Sequence, residues 1–389
     1  MYYDPFDFEI DNDPYPVWKR LRDEAPLYYN EKFNFFALSR YADVAPALND
    51  WETFLSGRGT TADLLLSGLR FPRDHFMGGS ADSRCSSAVA VTGFHSPPNG
   101  GGRRISAPVL CPGPRSPRWL RPVRLHRRSR CADADAGDRL SGRHPGVRPG
   151  NDPQAHRHHL DAEGGQADLR RPQFRADISD LCRLHRLAAK HPSNDLMTEL
   201  LNAELEEPDG TRRRLSRTEV LTYTSTIAGA GNETTTRLIG FIGQLLSDHP
   251  DQRREIVADR SLIPQAIEEV LRYEAPSPVQ ARYVARDVEY YGQTVPAGSI
   301  MLLLNGSANR DERHFTDGER FDIHRTGSHL SFGHGLHFCL GSALARMEAR
   351  VALEEVLNRW PDWQVDYDNA VRAHTASVRG WARLPVITG

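Results

Sequence analysis

A mainly α fold with a small β region is predicted by three features of the sequence. Apolar residues recur at helical spacing through most of the chain after Lys190, strand-forming residues gather in one run from Tyr283 to Leu304, and a second aromatic-rich strand signal is confined to the N-terminal part. With 389 residues the chain can bury a sizeable core, either as one large helix-rich unit or as two or three ordinary domains.

Taken in order, PYPVWKRLRDEAP (Pro14 to Pro26) places Val17, Trp18 and Leu21 at helical spacing. LYYNEKFNFFALSR (Leu27 to Arg40) then reads as strands, and YADVAPALNDWETF (Tyr41 to Phe54) as helix again. From Lys190 onward, NDLMTELLNAEL (Asn194 to Leu205), the long stretch Ser216 to Pro250 and SLIPQAIEEVLRYEAP (Ser261 to Pro276) are amphipathic helices. Two strands around a turn at Gly292 follow, with Pro296 and Gly298 marking the next turn. SALARMEARVALEEVLNRW (Ser342 to Trp360) returns to helical periodicity.

A formal charge of −2 with 26% charged residues excludes a globally basic nucleic-acid binder and a highly acidic disordered chain. No apolar run of about 18 residues is present, so no membrane span is expected. The opening MYYDPFDFEIDNDPYP lacks the basic, apolar and cleavage regions of an export signal, which leads us to expect a cytoplasmic protein.

The stretch from Arg73 to Leu187 departs from this pattern. It holds 20 Arg and no Lys against 11 acids, with 13 Gly and 11 Pro, and so carries +9 while the remainder carries −11. Four of the five cysteines fall in it (Cys85, Cys111, Cys131, Cys182), without the pairing of a disulfide framework or a zinc ribbon. Breakers such as SPPNGGGRR interrupt every candidate element, and the segment reads as poorly ordered. RWLRPVRLHRRSR (Arg118 to Arg130) could serve as a nucleic-acid arm or be a solvated charged tract; His156, His158 and His159 lack the context of a metal site. A third reading is a shifted-frame translation. Reading one nucleotide forward, the overlap of the Met77 and Gly78 codons must encode Trp, Arg73 to Asp82 permit GTILWEDPPT, and Arg183 to Ala188 permit DYIDWR.

The chemistry-bearing string is Phe332-Gly-His-Gly-Leu-His-Phe-Cys339-Leu-Gly341, placed directly before a helix. Gly333, Gly335 and Gly341 let the backbone approach a flat ligand and leave N–H groups free for the sulfur, and the helix N-terminus favours thiolate. An isolated cysteine would be an inert small hydrophobe.

This string resembles the haem-binding signature FGxGxHxCxG of the cytochrome P450 family at every fixed position. The resemblance covers residues 1–72 and 188–389 and implies a cytochrome P450-type haem-thiolate fold, with 1–389 forming a single domain. It implies that Cys339 is the thiolate ligand of the iron of haem b (iron protoporphyrin IX), that His337 and Arg282 face haem propionates, and that Phe332 and the three glycines shape the cradle. Ala230-Gly231-Asn232-Glu233-Thr234-Thr235 resembles the oxygen-activation motif of the family's central helix. Glu233 and Thr234 would relay protons there, and apolar Ile227, Leu238 and Ile239 suggest burial on several faces. Glu269 and Arg272 resemble the ExxR ion pair, closed by Arg325.

The family's DPPxH…R helix and its pocket roof would fall in the anomalous middle, which the shifted frame accommodates. The resemblance implies a monooxygenase that inserts one atom of O2 into an apolar small molecule, with electrons from a separate ferredoxin and ferredoxin reductase. Alternatives are an inactive remnant caused by the out-of-frame middle and a nucleic-acid binder acting through its basic residues. A peroxygenase is disfavoured by the Glu-Thr pair.

Overall fold

The computed structural model describes residues 1–66, 178–206, 210–375 and 377–388. The basic tract Arg118–Arg130, the three histidines, Cys85, Cys111, Cys131 and nearly all of the anomalous segment lie outside them.

Near the N-terminus, α1 (Phe8–Asn12) is capped by the Asp7 carboxylate, which accepts from the N–H groups of Glu9 and Ile10. Next, α2 (Tyr15–Glu24) buries Tyr15, Trp18, Leu21 and Arg22 on one side. β1 (Leu27–Asn30) and β2 (Phe35–Leu38) form an antiparallel pair, and α3 (Tyr41–Asn49) follows. Here α3 is shorter than the sequence suggested. The Asp50 side chain accepts from the N–H of Thr53 at 3.1 Å, and Phe54–Leu55 leaves the helix to become β3. After it comes α4 (Ala62–Leu66).

The second described stretch opens with α5 (Ile178–Lys190), and this corrects the expectation that the segment to Leu187 is poorly ordered throughout. Leu181, Cys182 and His185, with Ala188, are buried at i, i+1, i+4 and i+7, a helical stripe too short to register amid so many breakers. α6 (Leu196–Asn202) is capped by Asp195 and ends sooner than expected. Beyond it, β4 (Glu204–Glu206) pairs with β5 (Arg212–Arg214), which sets acids opposite arginines.

α7 (Arg217–Asp248) is the central helix, opened by a capping box between Ser216 and Glu219. It packs against α9 (Ile263–Tyr273) and α11 (Ser342–Arg359), and α8 (Pro250–Ala258) adjoins its end. Leu238, Phe241, Ile242, Leu245 and Leu246 form its buried arc, facing Ile263, Ile267, Val270, Leu353 and Leu357 in the largest core cluster. Burial of each such side chain stabilises the fold by about 1.5–3 kcal/mol. Ile239, expected to be buried, is 39% exposed because it falls just outside that arc.

The main sheet has the order β1-β2-β9-β6-β3, with β6 at Gln280–Val284 and β9 at Ile300–Leu303. β2 and β9 are parallel, Phe35 opposite Ile300 and Leu38 opposite Leu303, and the other pairs are antiparallel. Period-2 alternation sends Phe35, Ala37, Ala281 and Leu302 into one cluster and Leu38, Val284, Met301 and Leu303 into another. Both faces of the sheet are therefore covered, which is why IMLLL reads as an unbroken apolar run. β7 (Val288–Tyr290) and β8 (Gln293–Val295) turn at Tyr291 and Gly292, both with positive φ, as a two-residue type I′ hairpin requires.

α10 (Asn305–Ala308) leads into an extended loop. Four short strands close the chain: β10 (Trp363–Val365) with β13 (Val386–Thr388), and β11 (Val371–Ala373) with β12 (Gly380–Arg383). Among the described residues, Leu344, Met347 and Val351 stand exposed along α11, and Leu336 and Phe338 are exposed just before it. No helix of the described residues is long and apolar enough to cross a membrane.

Candidate functional site

Backbone bonds shape the loop before α11 before any side chain acts. Gly333 N–H donates to Leu330 O at 2.9 Å, Phe338 N–H to Gly335 O at 3.0 Å, and Cys339 N–H back to Phe332 O at 2.8 Å. Gly333 and Gly335 have φ of 73° and 69°, conformations that a side chain would strain. The loop tip presses on the end of α3, where a Cβ at Gly335 would lie 2.1 Å from Asn49 Oδ1. The loop thus delivers Cys339 to the first turn of α11.

Cys339 is exposed as a residue, while its sulfur is sheltered within the loop. Burial pushes the thiol up. The Gly341 N–H, the Arg346 guanidinium and the Ser342 N–H oppose that shift and favour thiolate. A Cβ at Gly341 would come 4.0 Å from the sulfur. Phe332 packs under this turn and meets Phe338 with ring centroids 6.2 Å apart.

Beside the loop, Arg282 on β6 is 4% exposed and donates to the Ala281 carbonyl at 2.8 Å. Burial lowers its guanidinium to about 10, with no carboxylate to offset it among the described residues. Burial and this cation together lower His337, whose Nε2 is 3.2 Å from Ser56 Oγ. A buried cation facing no acid among the described residues, next to a glycine-lined cysteine loop, suits a flat ligand that carries acidic groups of its own.

On α7, Thr234 Oγ1 donates to Ala230 O at 2.7 Å, and Thr236 donates likewise to Asn232 O at 2.8 Å. The helix continues unbroken through the motif, so the threonine bonds back to the carbonyl a turn earlier without opening a local bulge. Ala230 and Gly231 are exposed among the described residues, and a Cβ at Gly231 would meet nothing within 4 Å. Glu233 is engaged by Arg237 at 3.0 Å.

The structure brings Glu269 and Arg272 together at 2.7 and 2.8 Å, with side chains 1% and 3% exposed. Arg272 also donates to the carbonyls of Asn309, Gly318 and Arg320. Arg325 Nε approaches Glu269 at 3.4 Å, and the Asp322 N–H reaches the same oxygen at 2.9 Å. Gly318 is required by proximity, since a Cβ there would lie 2.5 Å from Arg310 O.

Sequence reasoning missed two further groups. Glu268 binds Arg346 through two hydrogen bonds and adjoins His329. Glu274, fully buried, holds Arg310 and Arg379 and accepts from Tyr15 OH at 2.8 Å. Neither leaves a local pattern; the adjacent acid of EEVLR was the one available hint.

A family model, Cytochrome P450, matches residues 170–372. Cytochrome P450 123 of Mycobacterium tuberculosis is 38% identical over 98% of this chain and 96% of that relative. The chain belongs to the cytochrome P450 family. Among solved structures, cytochrome P450 CYP109Q5 from Chondromyces apiculatus aligns with a TM-score of 0.68 and 25% identity, covering 99% of this chain and 98% of that one. 6-Deoxyerythronolide B hydroxylase of Saccharopolyspora erythraea is 40% identical over 50% of this chain and 48% of its own. As a cytochrome P450 the chain is a monooxygenase-type oxidoreductase with a haem-iron cofactor. The residues present fit that cofactor: Cys339 can ligate iron, and Arg282 with His337 can meet its acidic edge.

Proposed function

We propose that this cytochrome P450 hydroxylates an apolar small molecule with O2, using haem b held through Cys339 and electrons from a ferredoxin and its reductase in the cytoplasm. When bound, the cofactor supplies the O2 chemistry. The chain's own part is to hold the thiolate, match the propionates and conduct protons. The buried Arg282 beside the cysteine loop, facing no acid among the described residues, carries this reading. Glu233 and Thr234 are the proton-handling pair: the Thr234 hydroxyl must turn from the Ala230 carbonyl, and the Glu233 carboxylate must be lent by Arg237. Glu269, Arg272 and Arg325 brace the loop that precedes the cysteine. Relatives named as hydroxylases support the reaction type.

We assign 1–389 to a single domain in which 73–187 is read from a shifted frame. Support comes from the composition of that segment, rich in Arg, Gly and Pro and without Lys. The test compares reduced carbon monoxide difference spectra of the chain, its Cys339→Ser variant and a version recoded one nucleotide forward over 73–187. A thiolate-type band that Cys339→Ser abolishes supports the site. A band only in the recoded protein makes the present chain an inactive remnant, and no band in any folded version sinks the haem-thiolate reading. Pyridine haemochromogen analysis identifies the haem type.

A further inference from the structure

Two adjacent glutamates on α9 serve different partners. A helix turns about 100° per residue, so while Glu269 faces Arg272, Glu268 faces α11 and the start of the cysteine loop. Its carboxylate accepts from Arg346 Nε at 2.7 Å and Nη2 at 2.8 Å, a two-point contact that fixes the plane of the guanidinium. That guanidinium lies 4.5 Å from the centroid of Phe332, the first residue of the loop. On the other side, His329 Nε2 is 3.3 Å from Glu268 Oε2. Its Nδ1 accepts from the Ser331 N–H at 3.2 Å. The His329 side chain is 4% exposed and its ring is 5.7 Å from Phe332. One carboxylate therefore ties the chain ten residues before Cys339 to the helix seven residues after it.

Resting on the reading that Cys339 is the haem ligand, we infer that Glu268 is a positioning residue for the thiolate: it holds Arg346 where that cation's field falls on the sulfur. Arg346 lies over Phe332, whose carbonyl accepts the Cys339 N–H at 2.8 Å, so the cation is held against the same turn that presents the sulfur. A cation near the sulfur favours the reduced, more negative state of the site and so raises its reduction potential. Removing a carboxylate that acted only by its own charge would raise the potential too. Removing one that positions Arg346 would lower it, because the cation is released to solvent.

The sign of the shift is thus the test. Reduction potentials are measured by spectroelectrochemical titration of the haem-loaded full chain, as wild type, Glu268→Gln, Arg346→Gln and the double variant. The expected result is a lowered potential in both single variants, with no further lowering in the double. A raised potential in Glu268→Gln, or an unmoved one, overturns the inference while leaving the haem-thiolate reading intact. If Glu268→Gln does not retain haem, Glu268→Asp, which keeps the charge but shortens the reach, is read in the same way. If neither the chain nor its recoded version gives a thiolate-type band when folded, the haem-thiolate reading falls and this inference with it; if the recoded version alone gives one, the titrations are made on it.

Discussion

Glu233 and Arg237 are bonded across one turn of α7 at 3.0 Å, and the same guanidinium donates to the carbonyl of Trp381 on β12. The acid assigned to proton delivery is thereby anchored to the C-terminal strands. If that assignment holds, Glu233→Gln lowers turnover by about 10²-fold, the scale of a lost general acid. Product per reducing equivalent falls with it, and the carbon monoxide band stays in place. Unchanged turnover would remove Glu233 from the relay.

The Glu269–Arg272 pair makes a prediction about stability. Glu269→Gln leaves a guanidinium buried among carbonyls without its counter-charge, at a cost of about 3–5 kcal/mol. Thermal unfolding followed by circular dichroism checks this; a change within about 0.5 kcal/mol, the scale of an ordinary surface substitution, would show that the pair is dispensable.

Gly335→Ala combines a strained φ with a Cβ in contact with Asn49. We expect it to displace the loop, destabilise the fold by about 1–3 kcal/mol and shift the carbon monoxide band from the thiolate to a non-thiolate position. Gly231→Ala, where the added methyl meets open space among the described residues, should leave stability nearly unchanged in the same assay.

Acid stability is set in part by Glu268. Burial works against its charge, but Arg346 and His329 outweigh that and hold the carboxyl down to about 2, from an ordinary value of 4.5. A depressed carboxyl pKa contributes stability that is present above about 4.5 and lost as pH falls toward about 2. Glu268→Gln should therefore be less stable than wild type at neutral pH, and the gap should close through that window. Parallel acid-unfolding curves would contradict this.

Much of this molecule was legible because its signals are local. Helical spacing marked α7, α9 and α11, alternation and Gly292 marked the hairpin, and ten consecutive residues marked the cysteine loop. The boundaries misread were those where one side chain or one strand partner decides: Asp50 turning the chain out of α3, and Arg212–Arg214 drawing Glu204–Glu206 into a sheet. Glu268 with Arg346, and Glu274 with Arg379, stayed hidden because their members lie 78 and 105 residues apart and meet only after the core has formed.

Leu344, Met347 and Val351 stand three and four residues apart, so they make one continuous oily line along α11. Water tolerates single exposed leucines but draws such lines together. Left bare, this one would act as an adhesive between copies of the chain. The line begins only five residues past the cysteine, so among the described residues the helix that opens at the thiolate is also the one whose bare face would set how concentrated a sample stays dispersed.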